Sequence, residues 1–453
     1  MNTLDNKNFN PSSDDQKPWD LTIIGAGLAG LTAAITSAQA GLKTLLLESG
    51  KRAGGRAGTV EKEGALFNLG PHALYKEGVG LKILHQLGIQ PQGNMPQGNG
   101  KLVTNQGLYP LPFSPSSLLT HSFFNWKDKK EIIRLFSRLS KIDTVPLNHI
   151  SVKDWANSFF QRDRARQYFF MMCRLSSYSN SPDIASAGAA LRQLQDANGG
   201  VIYLDGGWQS LVDQMTERAL KVGVTIVKEE TVHSIAGFFP QMTITTKNHP
   251  QPIETRYVVS TINPKATCAL MGEKAPASFM ELAESLLPIR GASFDLSLKG
   301  LPLPKQTFGI HFDQPFYFSS HSHYAKLTKD PSHFVVHVYR YLTTGETLQA
   351  VELKKELEHF LDQLQPGWRD RVVTSRFMPQ ITVTQGLPTA STLSSDPEVH
   401  DYPGLYMAGD WLTRDGQLAD ASISSAQRAI QKILNHQQQG GAPHSTRKSI
   451  SNV

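Results

Sequence analysis

Three glycines and one acid carry the clearest chemistry in this chain. Gly25, Gly27 and Gly30 fall in the spacing G-x-G-x-x-G, and Glu48 follows eighteen residues after the last of them. An apolar strand ending at Ile23 and Ile24 precedes the glycines. A helix of small residues, with Ala29, Ala33, Ala34 and Ala38, follows them, and the apolar run Leu45, Leu46 and Leu47 leads to the acid. Strand, glycine turn, helix, strand and acid in this order form a pattern that binds an adenine dinucleotide. Gly25 permits a sharp exit from the strand, Gly27 lets a pyrophosphate approach the backbone, and Gly30 lets the helix lie close on the sheet. Free amides and aligned peptide dipoles at the helix start favour the phosphates. Glu48 is expected to accept hydrogen bonds from a ribose diol. Leu28, Ala29 and Ser49 flank these positions and are expected beside the same ligand.

A second block, Gly54-Gly55-Arg56, follows directly. Paired glycines allow a tight passage of backbone beside a ligand, and the arginine offers paired, charge-assisted donors to phosphate oxygens. A nicotinamide enzyme has no need of this second glycine pair. Further on, His72 sits beside the Gly70-Pro71 turn and is the best side-chain candidate for a base or positioning group. Near the C-terminus, LYMAGD reads as a short buried strand ending in Gly409 and Asp410. Asp420 then stands where a helix N-cap would, ahead of ASISSAQRAIQKIL.

The elements that must position these residues spread over a chain of 453 residues, long enough for two domains. Residues 19–105, 196–285 and 396–437 read as one nucleotide-binding unit assembled from both ends of the chain. Residues 106–195, aromatic-rich and helical in period, and 286–395, with alternating strands and an amphipathic helix over 352–367, read as a second unit. Residues 1–18 and 438–453 are polar and read as disordered arms. No stretch is long and apolar enough for a membrane span, and no leader pattern stands at the start. Cys173 and Cys268 are far apart and suggest neither a disulfide framework nor a metal site; a reducing cytoplasm is expected. The net charge of +6 is carried by scattered residues without interleaved aromatics, which argues against a nucleic-acid partner.

The array GAGLAG, Glu48, GGR, DGGWQSLV, VVSTINP and MAGDW…ADASISSAQRA resembles the flavin amine oxidase and phytoene desaturase superfamily. The likeness is strong at both ends and in residues 199–264, and weak in 80–195 and 300–395. It implies an α/β fold: a Rossmann-like FAD-binding domain, discontinuous in sequence, with an α+β substrate domain of mixed sheet plus helices. It implies FAD on Gly25, Gly27, Gly30 and Glu48, with Gly54, Gly55 and Arg56 beside the pyrophosphate and flavin. Val232 would meet the adenine through its backbone, and Asp410 the ribityl or phosphate oxygens. Ala421 and Ile423 mark where the family aims a helix N-terminus at the flavin. The chain departs from the family in carrying Asp420-Ala421 in place of Glu-Gly. It also lacks a flavin-tethering cysteine near the C-terminus, so the FAD is expected to be non-covalent.

The activity so implied is removal of a hydride from a lipophilic, isoprenoid- or carotenoid-like substrate. Such chemistry needs orientation and water exclusion more than catalytic side chains. The alternatives are an amine oxidase, or a flavin-binding protein without redox turnover. Lys299 and Lys305 lie near where amine oxidases keep a lysine, and neither is compelling. Trp411 is a candidate wall of the site, and Arg174, Ser176 and Tyr178 are candidates to face a pocket. Residues 112–139 combine Phe and Leu with Lys127, Lys129, Lys130, Arg134 and Arg138, a composition suited to peripheral contact with anionic lipid.

Overall fold

The computed structural model describes residues 3–5, 18–97, 100–112, 114–391 and 396–439. Most of the two terminal arms, including residues 6–17 and 440–453, lies outside them.

The apolar runs on either side of the glycine turn become the parallel strands Trp19–Ile24 and Thr44–Leu47, paired Leu21 to Thr44 through Ile24 to Leu47. Leu21, Ile23, Leu45 and Leu46 are fully buried. A parallel strand covered on both faces requires such continuous apolar sequence. The helix Leu28–Gln39 crosses between them, and Ala29, Ala33 and Ala34 are buried where it lies on the sheet. The eight-stranded sheet runs Thr3–Asp5, Thr225–Lys228, Thr44–Leu47, Trp19–Ile24, Ile253–Ser260, Gln241–Thr246, Val232–Phe238. Its eighth strand, Leu405–Met407, pairs in parallel with Val258–Ser260. Chain from near both ends therefore meets on one strand. The helix Leu418–Gln438 completes the junction, packing Ile423, Ala426 and Ile430 into one core with Leu31, Ala34 and Ile35.

Two expectations need correction here. Thr3–Asp5, expected in a disordered arm, pair in parallel with Thr225–Lys228, because an edge strand leaves backbone groups open to pairing. Gly100–Thr104, grouped by sequence with the nucleotide-binding unit, pairs instead with Phe308–His311 and with Gly107–Pro110. Leu102 and Val103 are buried there.

That hairpin ends a seven-stranded sheet in the order Val372–Thr384, Ile289–Lys299, His333–Tyr341, Phe316–Ser320, Phe308–His311, Gly100–Thr104, Gly107–Pro110. The amphipathic helix Ala350–Leu364 buries Leu353, Leu357, Phe360, Leu361 and Leu364 against one face. The helices Trp126–Arg138, Val152–Phe159, Asp163–Ser177 and Ala187–Ala197 share a core with the sheet residues Ile289, Tyr317, Tyr339 and Tyr341. Among the described residues no helix is long and apolar enough to cross a membrane.

Candidate functional site

Gly54 is the keystone of the glycine cluster. Its N–H donates to Ala26 O at 2.8 Å, and Gly27 and Gly54 form a parallel bridge. The backbone holds this contact at φ +128°, a conformation L side chains rarely adopt. Glu48 fastens the same turn: its Oε2 accepts from Ala26 N and its Oε1 from Gly50 N, each at 2.7 Å. The helix Leu28–Gln39 begins at Gly27 with no side-chain cap and no acid in its first turn. Its first amides are left for an external acceptor.

These elements line one cavity of about 760 Å³. Of the expected residues, Gly25, Gly27, Leu28, Ala29, Glu48, Ser49, Gly54, Gly55, Arg56, His72, Val232, Gly409 and Asp410 all border it. A Cβ on Gly27 would meet only Gly54 O, at 3.9 Å, so the absent side chain leaves open space at the cavity edge. Arg56 donates to Asp410 Oδ2 at 2.5 Å and to Val383 O at 2.8 Å. Burial alone would lower the Arg56 pKa, and Asp410 more than offsets it. An open glycine backbone, an uncapped helix start and a guanidinium in one cavity fit the pyrophosphate of a dinucleotide.

Three expected residues lie elsewhere. Gly30 does not border the cavity. A Cβ there would run into Gly25 O, so this glycine serves helix–sheet packing. Ala421 and Ile423 are fully buried in the core, because the last helix starts at Leu418, earlier than its sequence suggests. Leu418, Ala419 and Ser422 face the cavity in their place. Asp420 is not the N-cap. Gln417 holds that position without capping the helix, its side chain donating to Ala189 O at 2.9 Å. Asp420 turns away and accepts from Gly80 N at 2.8 Å.

Asp420 is nearly fully buried, and its Oδ2 has no partner. Burial and the nearby Asp196 outweigh the Gly80 bond and Lys82, pushing its pKa up to about 7. Native Asp420 therefore holds a proton that the unfolded chain releases at lower pH. Its contribution to stability is complete only below the unfolded aspartate value of about 4, shrinks as pH rises above it, and is lost as pH rises through about 7. Thermal melts should show stability falling by about 1–2 kcal/mol from about pH 6 to about pH 8.5, a loss that Asp420→Asn removes. An equal loss in the variant would contradict this assignment.

His72 lies beside the cavity with Nδ1 3.0 Å from Gly70 O, and its ring is edge-on to Trp208. Burial lowers its pKa to about 4. A carbonyl only accepts, so the neutral ring carries its proton on Nδ1 and leaves Nε2 as an acceptor. His72 is thus a weak base and a good orienting group. Trp411 also borders the cavity, and so does Tyr178, which bonds to Pro71 O and Tyr317 Oη at 3.2 Å each.

Sequence reasoning missed Glu230, Tyr339, Ile381 and Gln385, which also line the cavity. Alternation along the strand His333–Tyr341 places Tyr339 and Tyr341 on one face, a signal that was available. Glu230 offered none. It is buried and held by Asn248 at 3.1 and 3.2 Å. Lys299 and Lys305 do not border the cavity, and among its described lining residues there is no lysine. Among the described residues no cluster of three or more ligating side chains is placed to hold a metal ion.

The chain matches the family described as "Flavin containing amine oxidoreductase" over residues 28–276, more than half its length. It belongs to that family. A flavin bound through a dinucleotide fingerprint is FAD. An L-amino-acid oxidase of Bothrops pauloensis is 40% identical over 84 residues, 18% of this chain and 17% of that protein. A carotenoid 3,4-desaturase of Haloarcula japonica is 24% identical over 273 residues, 52% of this chain and 54% of that one. The chain thus spans about half, or much less, of the length of these curated relatives. An oxidoreductase from Methanosarcina mazei has the same fold, with TM-score 0.72 at 18% identity, covering 92% of this chain and 99% of that one.

Proposed function

We propose that this protein is an FAD-dependent oxidoreductase that removes a hydride from a lipophilic substrate of isoprenoid or carotenoid type. One observation carries this reading: every charged side chain among the described lining residues already has a partner. Glu48 is held by two backbone amides, Arg56 and Asp410 by each other, and Glu230 by Asn248. Tyr178, Trp208, Tyr339, Ile381 and Trp411 offer apolar surface and no charge. An apolar chain fits such a lining, whereas a charged amine would need an acceptor.

FAD, when bound, supplies the hydride acceptor. The chain's own residues bind, orient and exclude water. The start of the helix Leu418–Gln438 borders the cavity without a side-chain cap, and its dipole stabilises negative charge gathered there. The neutral His72 ring lines the cavity and leaves Nε2 as an acceptor for a hydroxyl or a water there. Under this reading the eight-stranded sheet serves the cofactor, and the seven-stranded sheet with its helices serves the substrate.

Anaerobic visible spectra test the proposal. Bleaching of the bound flavin by polyene or isoprenoid substrates, and not by polyamines or aromatic amines, is the expected result. Bleaching by amines alone would favour an amine oxidase. The absence of bleaching across both panels would favour flavin binding without turnover.

The same reading includes contact with an anionic membrane surface. Leu119 and Trp126 are 46% and 67% exposed beside the basic run Lys127, Lys129 and Lys130. The protein is expected to sediment with phosphatidylserine-rich liposomes at low salt and to release them at high salt. Protein left entirely in the supernatant at low salt ends this part of the proposal.

A further inference from the structure

A second cavity of about 400 Å³ lies among the helices Val152–Phe159, Asp163–Ser177 and Ala187–Ala197, and shares no lining residue with the first. Arg174 borders it, 6% exposed. Its Nη2 donates to Phe312 O at 3.0 Å and, more weakly, to His311 O and Gln314 O. Among the described residues Arg174 forms no ion pair, and its buried Nε has no hydrogen-bond partner. A guanidinium buried without a carboxylate is costly and invites an anion.

The rest of the lining supports the same conclusion. Gln167 adds a donor, and Arg166, ion-paired with Asp163, adds positive charge to the wall. The one carboxylate there, Asp183, is occupied by Lys153 at 2.6 Å. Phe170 and Val152 add apolar wall, and the volume is in the range of organic ligands, far larger than an inorganic ion needs. The polypeptide also links the two cavities. Ser177 and Ser179 line the small one, while Tyr178 between them lines the large one, held at φ +62°.

We propose that this cavity binds a small organic carboxylate, its anionic end on Arg174 and its carbon chain against Phe170 and Val152. Calorimetry on the flavin-loaded protein tests this with hexanoate as the probe, and hexanol and inorganic phosphate as comparators. Hexanoate is expected to bind at one site, with the loss of its charge or of its chain each weakening binding about tenfold or more. Arg174→Gln should weaken hexanoate by a similar factor. Since that change removes three carbonyl contacts and can unfold the chain, Gln167→Trp, at a half-buried helix position, serves as the second variant and should block the cavity. Hexanol or phosphate binding as tightly as hexanoate would overturn the proposal. So would hexanoate binding that Gln167→Trp leaves unchanged, since that places the ligand elsewhere.

Discussion

Asp295→Ala is expected to destabilise the protein by about 3–5 kcal/mol, read as a lower denaturation midpoint with an unchanged slope. Asp295 is fully buried on Ile289–Lys299, the second strand of the seven-stranded sheet. Antiparallel register sets His337 opposite it on one neighbouring strand and Arg376 opposite it on the other. His337 Nδ1 lies 2.7 Å from one carboxylate oxygen and Arg376 Nη2 lies 2.6 Å from the other, while Ser293 donates at 2.6 Å. Removing the carboxylate strands a guanidinium and an imidazole in the sheet, which costs more than the pair itself is worth. The effect reaches the site, because Arg376 also donates to Asn68 O. Asn68 Oδ1 in turn accepts from Trp208 N at 2.9 Å, and Trp208 packs on His72. Burial alone would raise the Asp295 pKa, but His337 and Arg376 hold it below the ordinary aspartate value. Its contribution is therefore complete above the ordinary aspartate range and is lost as pH falls below that range toward the depressed native value. Wild type should lose stability on acidification through this window, and Asp295→Ala should lose less. A change under about 1 kcal/mol at neutral pH would contradict the account.

Gly27→Ala and Gly30→Ala should have opposite consequences although they alter one motif. Gly27 has φ −77° and ψ −173°, which alanine adopts freely, and its Cβ would meet nothing closer than 3.9 Å. Alanine there should leave stability unchanged or raise it by about 0.4–1 kcal/mol. The added methyl group occupies the edge where phosphate would reach the helix amides. FAD affinity should therefore fall about tenfold to a hundredfold, the worth of one or two hydrogen bonds to a charged group. Gly30→Ala drives a methyl group into Gly25 O and should cost about 1–3 kcal/mol of stability through overpacking. Calorimetric FAD titration and chemical denaturation of both variants separate the two effects. An unchanged FAD affinity in Gly27→Ala would contradict the assignment of this cavity to the dinucleotide.

The parts of this molecule legible in sequence are those written in local periodicity. The two apolar runs beside the glycines, the acid at Glu48 and the amphipathic run 352–367 each announce their element within a few residues. They fix the sheet core and most of the cavity lining around Gly27 and Gly54. Residues whose environment comes from distant pairing were not legible. Alternation puts Ser293, Asp295 and Ser297 on one face of a strand, as if facing water, yet all three are fully buried. The charged partners of Asp295 lie 42 and 81 residues away, at a register no local pattern encodes. The start of the last helix failed for the same reason: Asp420 looks like a cap until Gly80, 340 residues earlier, claims its carboxylate. The Gly100–Pro110 hairpin carries ordinary strand sequence, and only its neighbours decide which sheet it joins.

The claim beneath all of this is that one cavity, built from both ends of the chain, holds a single FAD without a covalent bond. Acid precipitation of the purified protein, with spectra of pellet and supernatant, tests it most directly. A yellow protein that releases all its flavin to the supernatant, one FAD for each chain, is the expected result. Flavin retained in the pellet, or a folded colourless protein that takes up no FAD on titration, would contradict it.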